Sequence, residues 1–337
     1  MAKTSKKTDK TTPDAAIEPL EEQIDIAMEH LKKTRAEISK VIYGQTDVIS
    51  LSLTSILADG HALLIVVPGL AKTLLVDTLG TVLGLSAKRV QCTPDLMPAD
   101  IIGTEVLEES KSGARSFKFI EGPVFGNLLM ADEINRASPR TQSALLQAMQ
   151  ERRVSVGGKE YDLPKPFHVL ATQNPIEQEG TYPLPEAQLD RFLLQIDVQY
   201  PEWDAERLML LNTTGKERQK AKSVMTENEL LGLQSLVKEM PVGEALVDNI
   251  LKLVRSLRPG PDADPAINQF ILWAPGPRAA QALIQTAKAY ALLDGRLSPS
   301  MDDIKTLALP VLKHRMALTP FARSEKITLN DLIEQLI

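Results

Sequence analysis

Five short apolar segments recur between residues 62 and 198, and this recurrence constrains the fold more than any other feature of the sequence. The segments are Ala62–Val67, Lys88–Cys92, Asn127–Ala131, Phe167–Thr172 and Phe192–Val198. The first is a continuous apolar run, which is typical of a strand buried on both faces of a parallel sheet. Helical patterns separate the segments. This alternation predicts an α/β fold with a doubly wound, parallel, five-stranded sheet of buried strands.

The rest of the chain divides around this sheet. Residues 1–20 are polar and predict a disordered tail, and two helices follow, over Glu21–Lys40 and then up to about Leu57. After Pro201 the strand pattern stops, and we expect helices only, over Glu227–Lys238, Glu244–Leu257, Pro277–Leu293 and Ser300–Lys313. The predicted domains are an α/β core over 21–201, an all-helical lid over 202–322 and a C-terminal segment over 323–337.

Two β-hairpins are predicted to interrupt the alternation of strands and helices. Their strands are Glu105–Leu107 with Arg115–Ile120, and Arg153–Val156 with Glu160–Leu163. Gly113 lies in the turn of the first hairpin, and Gly157-Gly158 forms the turn of the second. Both hairpins are therefore insertions in the α/β core.

Composition and charge exclude several classes of protein. The net charge is −6 and aromatic residues make up 4%, which disfavours a nucleic-acid binder that relies on positive charge or base stacking. Cys92 is the one cysteine, so an intrachain disulfide is excluded, and no Cys/His cluster has metal-ligand spacing. The longest apolar run is too short to span a bilayer, and the start is unlike a secretory signal. We therefore expect a cytoplasmic protein without a membrane span.

The segment Pro68-Gly69-Leu70-Ala71-Lys72-Thr73 follows the first strand and opens a helix. Backbone N–H groups at a helix start favour phosphate, which Lys72 would also contact, while the Thr73 hydroxyl would hold Mg²⁺. The alternative is a Pro-Gly turn with a surface lysine. Val66 and Ala71 stand where the P-loop pattern has glycine, and a β-branched residue avoids positive φ. We therefore expect Val66 to stay extended at the end of the strand.

A second candidate site follows the strand Leu128–Ala131, which ends in two carboxylates, Asp132 and Glu133. This pattern is typical of a site in which Asp132 holds Mg²⁺ and Glu133 orients an attacking water. The alternative is a helix N-cap carboxylate with a solvated neighbour.

Three further residues are candidates for contact with a phosphate. Asn174 follows the strand Phe167–Thr172, where it hydrogen-bonds a lytic water and the γ-phosphate or, alternatively, forms a turn before Pro175. Arg191 stabilises a transferring phosphoryl group or forms a surface ion pair with Asp190. Arg278 opens a helix of the second domain, from which it is expected to reach back to the phosphates.

Taken in order, these motifs resemble the Walker A, Walker B, sensor 1, arginine finger and sensor 2 of AAA+ P-loop ATPases, and more narrowly the MoxR family. The resemblance runs from Val41 to Met316. The segments that carry it are Pro68–Thr73, Thr93–Asp100, Ala131–Ala137, Ala171–Pro175, Leu184–Phe192 and Arg278.

The resemblance implies an ATPase that binds ATP and Mg²⁺ and works as a homo-oligomeric ring, a hexamer, in which Arg191 acts on the ATP of the neighbouring subunit. The implied catalytic residues are Glu133, Asn174, Arg191 and Arg278. The implied ATP-binding residues are Val41, Ile42, Gly44, Pro68, Gly69, Leu70, Ala71, Lys72, Thr73 and Leu74, with Thr73 and Asp132 holding the metal.

The family also implies chaperone-like remodelling of client protein complexes, often with a partner that carries a von Willebrand factor A domain. In related rings the two hairpins face the pore. Two alternatives stay open: a nucleotide-gated scaffold with little turnover, for which Val66 would be the cause, and a nucleic-acid motor or chelatase subunit of the same clade.

Overall fold

The computed structural model describes residues 20–67, 69–70, 72–109, 115–177, 180–213 and 219–336. The predicted tail, apart from Leu20, lies outside the described residues. So do the turn of the first hairpin and two of the predicted ATP-binding residues, Pro68 and Ala71.

A five-stranded parallel sheet forms the centre of the first domain, as predicted. The strands of this domain are β1 Ala62–Val66, β2 Ala87–Gln91, β3 Gly103–Glu109, β4 Arg115–Glu121, β5 Leu128–Asp132, β6 Arg153–Val156, β7 Lys159–Asp162, β8 His168–Gln173 and β9 Leu194–Val198. The sheet has the order β2-β5-β8-β1-β9. The segments after β1, β5 and β8 therefore start at the same edge of the sheet.

The expectation that all five strands are buried is wrong for β2. Lys88, Arg89 and Gln91 of this strand are exposed, whereas β5 is buried along its whole length. The physical reason is position: β2 is an edge strand that pairs with β5 alone. Its polar side chains can therefore stay in water or reach towards the ends of β5.

The two hairpins are confirmed as antiparallel pairs, β3 with β4 and β6 with β7. They also contact each other, because Phe119 of β4 stacks on Tyr161 of β7 with ring centroids 4.0 Å apart. Leu107 and Phe117, which are paired near the tip of the first hairpin, are more than half exposed, at 51% and 67%. The two inserted hairpins thus pack against each other, and the first exposes a pair of apolar side chains to water.

The helices whose bounds the sequence predicts lie there, with shifts of one residue or so at their ends, and further helices are present. Their bounds are α1 Leu20–Ser39, α2 Thr46–Leu57, α3 Lys72–Val82, α4 Pro98–Ile102, α5 Pro139–Glu151, α6 Glu186–Leu189, α7 Trp203–Thr213, α8 Glu227–Glu239, α9 Glu244–Ser256, α10 Pro265–Phe270, α11 Pro277–Leu293, α12 Met301–Leu312, α13 Pro320–Ser324 and α14 Leu329–Glu334. Among the helices that the structure describes, none has the length and apolar character that a bilayer crossing requires.

The second domain is not purely helical, which corrects the expectation. Strands β10 Ile271–Trp273 and β11 Ala317–Leu318 form a small antiparallel pair. With three residues and two, they are too short to show an alternating pattern in the sequence. Their contact joins the segment before α11 to the segment after α12.

The two domains share one continuous hydrophobic core. Leu64 of β1 belongs to the same buried cluster as Leu283 of α11 and Ile304 of α12. Helix α2 of the first domain packs against α11 of the second. The second domain is therefore packed against its own α/β core.

Candidate functional site

Lys72 and Asp132 meet at the carboxyl edge of the sheet. Lys72 is the first residue of α3, and its Nζ lies 3.1 Å from Oδ1 of Asp132, the last residue of β5. Thr172 donates a 2.6 Å hydrogen bond to the same oxygen, and Arg89 of β2 lies 2.7 Å from Oδ2. Burial alone would raise the pKa of Asp132, but these three donors outweigh it and hold the pKa below its usual value. The carboxylate is therefore ionised and already surrounded by donors.

Glu133 has a backbone conformation that few residues other than glycine adopt. Its φ is 56° and its ψ 51°, the left-handed region, and its N–H donates to Oγ1 of Thr172. Its carboxylate Oε2 accepts from Nε2 of Gln91 at 2.9 Å and from Nη1 of Arg136 at 3.1 Å. Such backbone strain costs about 1–3 kcal/mol and clusters at functional sites. Glu133 follows β5 at this turn, and Arg136, which its carboxylate contacts, ends the short 3-10 helix that comes next.

The loop between β1 and α3 begins as expected at Val66. This residue is fully buried as the last residue of β1, and it is absent from the described residues with positive φ. The turn is made three residues further along, where Gly69 has a φ of +89° and open space around it. Thr73 follows Lys72 in the first turn of α3 and is half-buried. The extended Val66 therefore leaves the loop free to turn at Gly69.

A mostly apolar cavity of about 320 Å³ adjoins this loop. Its lining joins the loop to the segment before α2, to the end of β9 and to α7. It includes Val41, Ile42, Tyr43, Gln45, Val66, Gly69, Leu70, Lys72, Leu74, Val198, Tyr200, Pro201, Glu206 and Met209. Most of the predicted ATP-binding residues are thus brought together around one cavity.

Gly44, a further predicted ATP-binding residue, is placed beside that cavity rather than in its lining. Its φ is +66°, and an added Cβ would lie 2.2 Å from Cβ of Ala205 in α7. A glycine is therefore required here, because it lets the segment before α2 pack closely against α7.

Asn174 immediately follows β8, which lies between β5 and β1 in the sheet. It is 4% exposed, and its Oδ1 accepts a hydrogen bond from the N–H of Ile176 at 3.1 Å. The turn that was the alternative reading is therefore present. The sheet order also places Asn174 on the same edge as Lys72 and Asp132, so the turn and a phosphate contact are compatible.

Arg191 and Arg278 lie elsewhere, in a second pocket of about 290 Å³. Gly60 and Leu193, which line it, come just before β1 and β9, so the pocket is at the amino edge of the sheet. Strand β1 has five residues, and its two ends are about 13 Å apart at about 3.3 Å per residue. The expectation that Arg278 reaches back to phosphates at Lys72 is therefore contradicted for its own subunit.

Asp190 is paired across the domain boundary in this second pocket. Its Oδ1 accepts from Nε of Arg315 at 2.8 Å, and its Oδ2 lies 3.8 Å from Nη1 of Arg278. Within the described part of the chain, Arg191 makes no ion pair, so the predicted alternative of an Asp190–Arg191 pair is not observed. Arg191 is half-buried and lines the pocket.

Sequence reasoning missed four of these contacts. Arg89 and Gln91 lie two apart on β2, and residues two apart on a strand point to the same face, so a shared role at the end of β5 could have been inferred. Arg136 lies three residues after Glu133, which is contact spacing in a helical turn. Arg315 gave no signal, because it is 125 residues from Asp190 in the sequence.

Comparisons with known proteins identify both domains. Residues 61–194 match the family described as "ATPase family associated with various cellular activities (AAA)", and residues 268–336 match the AAA lid domain. A crystal structure of a candidate ATPase from Cytophaga hutchinsonii superposes with a TM-score of 0.86 at 38% identity, covering 94% of this chain and 96% of that one.

Proteins similar in sequence extend over nearly the whole chain. "Chaperone MoxR1" of Mycobacterium tuberculosis is 41% identical, over 91% of this chain and 81% of that protein. The uncharacterized protein YeaC of Bacillus subtilis is 40% identical, over 91% and 93%, and "Protein MoxR" of Paracoccus denitrificans is 31% identical, over 86% and 89%. With its AAA and lid domains and these relatives, the chain belongs to the MoxR family of AAA+ ATPases.

Proposed function

We propose that this protein hydrolyses ATP to ADP and phosphate with Mg²⁺, in a homo-oligomeric ring, a hexamer, whose ATP sites are shared between neighbouring subunits. One observation carries the proposal. Lys72, Asp132 and Glu133 lie at the carboxyl edge of the sheet, while Arg191 and Arg278 lie at its amino edge. A single subunit thus has the binding and water-orienting groups at one end and, at the other, Arg191, which forms no ion pair with the residues that the structure describes.

ATP binding uses the cavity and the loop together. The adenine ring fits the apolar part between Val41–Gln45 and α7, and the phosphates lie at the start of α3. The unpaired N–H groups and the dipole of a helix start favour an anion there. Lys72, which now pairs with Asp132, turns towards the β- and γ-phosphates when they arrive. ATP binding therefore requires Lys72 to exchange its contact with Asp132 for contacts with the phosphates.

The residues at the carboxyl edge fit Mg²⁺ in the manner of a P-loop. Among the described residues, no group of three or more His, Cys, Asp or Glu side chains could hold a metal by itself. A P-loop needs less, because the threonine hydroxyl, one carboxylate and the phosphate oxygens share the ion. Thr73 and Asp132 would supply the protein ligands, and the ion when bound would neutralise charge on the phosphates.

Glu133 orients the attacking water, and Asn174 supports it with a neutral amide. Both donors, Gln91 and Arg136, bond to Oε2 of the Glu133 carboxylate. A carboxylate has acceptor sites on both oxygens, so Oε1 can accept a hydrogen bond from water while these contacts persist. Gln91 and Arg136 therefore hold the water-orienting group in position.

Arg191 and Arg278 complete the site of the neighbouring subunit. Both lie in one pocket, so a neighbour that presents its carboxyl edge to this pocket meets two guanidinium groups. Arginine fingers of this kind contribute about 10³–10⁵ in kcat where they have been measured. The role that the sequence suggested for Arg278 in its own subunit is thereby moved to the interface.

The proposed use of this hydrolysis is chaperone-like remodelling of client protein complexes, together with a partner that carries a von Willebrand factor A domain. The name of the relative "Chaperone MoxR1" supports the first part. The exposed apolar side chains Leu107 and Phe117 at the tip of the first hairpin suit contact with a polypeptide. A pull-down from the native host with Glu133→Gln, which holds ATP, tests for a client and for that partner.

Phosphate release by the assembled oligomer tests the proposal. We expect release that requires ATP and Mg²⁺, is lost in Lys72→Ala and Glu133→Gln, and falls per subunit when dilution dissociates the ring. Tight ATP binding without turnover that depends on Glu133 would instead favour the nucleotide-gated scaffold. Stimulation by DNA at physiological salt would favour the nucleic-acid motor.

A further inference from the structure

We propose that Arg315 of the second domain is a positioning residue, which acts with Asp190 to hold Arg191 and Arg278 in place for the ATP of the neighbouring subunit. This inference rests on the proposed function and deepens it, because it states what fixes the arginines at the amino edge.

The guanidinium of Arg315 is bonded to residues on both sides of Arg191. It lies in the segment after α12, with a side chain that is 3% exposed. Its Nε donates to Asp190 Oδ1 at 2.8 Å, its Nη2 to the carbonyl of Phe192 at 2.7 Å and its Nη1 to the carbonyl of Leu193 at 3.1 Å. The backbone that carries Arg191 is thus held immediately before and after it by one planar group.

Asp190 also contacts Arg278. One of its oxygens is used by Arg315 and the other faces Nη1 of Arg278 at 3.8 Å. Arg278 is the second residue of α11, so the same carboxylate sets the start of that helix relative to the segment of Arg191. Two arginines from two other segments of the chain thus contact the acid that immediately precedes Arg191.

The second pocket contains more arginines than acids, so one arginine can contact an incoming anion. Arg152, Arg191, Arg278 and Arg315 line it, against two acids, Asp59 and Asp190. Arg152 pairs with Asp59 at 2.8 Å, and Asp190 serves Arg315 and Arg278. Arg191, half-buried and without an ion pair among the described residues, lacks a carboxylate of its own. The pocket therefore suits an incoming group with several negative charges, such as a triphosphate.

An ion pair that only stabilises the packing of the two domains would make the same contacts. The structural role and the positioning role must therefore be distinguished by their effects on ATP hydrolysis. A structural ion pair contributes to the folding of its own subunit and to nothing else. A positioning residue alters the hydrolysis of ATP bound by the neighbour and leaves the ATP affinity of its own subunit unchanged. Mixed rings distinguish these two roles, because they show whether the substitution lowers ATP hydrolysis in its own subunit or in the neighbouring one.

Arg315→Lys is the test variant, because lysine keeps the charge and can pair with Asp190 but cannot span both carbonyls. We expect unchanged binding of a fluorescent ATP analogue, intact assembly and a fall in kcat of about tenfold to a hundredfold, as for a reacting group displaced by about 1 Å. Asp190→Asn provides the same test if Arg315→Lys does not fold.

Arg296→Lys is the matched control. Arg296 also belongs to the second domain and makes two hydrogen bonds to the buried Asp303. It lies outside the lining of the second pocket. We expect Arg296→Lys to lower the melting temperature without lowering kcat, which separates loss of an ion pair from loss of position.

Mixed rings give the decisive result. Lys72→Ala subunits cannot bind ATP but present intact arginines, so mixing them with Arg315→Lys subunits should restore hydrolysis at the sites of the latter. Folded Arg315→Lys with a kcat within about twofold of the wild type, or a loss that mixing does not rescue, overturns the inference. If Arg191→Ala also leaves kcat unchanged, the shared site itself is wrong; if only Arg191→Ala is impaired, the role of Arg315 alone is wrong.

Discussion

The two edges of the central sheet differ in how their charges are paired. At the carboxyl edge Lys72, Arg89 and Thr172 converge on Asp132, and Gln91 and Arg136 satisfy Glu133. At the amino edge four arginines line a pocket with two acids. Each of these charged groups at the carboxyl edge is paired within the subunit, whereas at the amino edge Arg191 forms no ion pair among the described residues. This difference supports the proposal that a group from outside the subunit completes the amino edge.

Among the substitutions that test this difference, the removal of Arg191 should have the largest effect on turnover. Arg191→Ala is expected to lower kcat by about 10³–10⁵ without changing the affinity for ATP, because the ATP of its own subunit is bound at the other edge. Phosphate release and equilibrium nucleotide binding measure the two quantities. A lower affinity for ATP in isolated, unassembled Arg191→Ala subunits would mean that Arg191 contacts the ATP of its own subunit.

A substitution at the carboxyl edge should lower the hydrolysis of ATP that is bound by the same subunit. Glu133→Gln keeps the size of the side chain and weakens its hydrogen bond to Arg136. The amide cannot act as a base. Turnover should fall by about 10²–10⁴, while ATP stays bound and the ring is stabilised. Turnover at the wild-type rate would show that another group orients the water.

Arg278→Ala sharpens the contrast at the amino edge. Arg278 faces Asp190 from 3.8 Å and is 58% exposed, so its removal should leave folding intact. The loss of one donor to the transition state is expected to lower kcat by about 10²-fold. A lower affinity for ATP in isolated, unassembled Arg278→Ala subunits would instead support the original expectation of contact within the subunit.

The amino edge also predicts a dependence of stability on pH. Burial lowers the pKa of His168 to about 4 from 6.5, and Nδ1 contacts the carbonyl of Gly60 while Nε2 contacts Nε2 of Gln234 in α8. Between these two pH values the unfolded state binds more protons than the folded state. Stability should therefore fall as the pH drops from about 6.5 towards 4, by up to about 1.4 kcal/mol per pH unit.

Urea unfolding at several pH values measures this effect, with His168→Gln as the comparison. The difference in unfolding free energy between the two proteins should shrink as the pH falls, because the variant lacks the titrating ring. A constant difference from pH 7 to pH 4.5 would contradict a neutral, buried His168. The buried His61, whose pKa is lowered to about 3, acts in the same direction in both proteins.

The carboxyl edge could be predicted from the sequence because its signals are local. An apolar run that ends in a turn and a lysine, or in two acids, fixes where each group lies on a parallel sheet. The order of the strands then brings Lys72 to within 3.1 Å of Asp132. The buried, extended Val66 followed from backbone sterics alone.

The amino edge could not be predicted, because it depends on how the second domain packs. Arg278 was expected near the phosphates, but the position of α11 is set by its contacts with α2, α8, α9 and α12 rather than by any motif. Arg315 joins the pocket through contacts 122 to 125 residues away in the sequence. Edge exposure of β2 likewise depends on the order of strands, which local patterns do not specify.

In the proposed ring, each ATP site takes its catalytic lysine and acids from one subunit and its arginines from the next. Mixing Lys72→Ala with Arg191→Ala subunits tests it most directly, because each variant alone should lack turnover. In a mixed ring, Arg191→Ala subunits keep a working carboxyl edge and Lys72→Ala neighbours supply Arg191. We expect phosphate release to return on mixing; if the two inactive proteins stay inactive in a ring shown to contain both, the ATP sites are not shared between subunits.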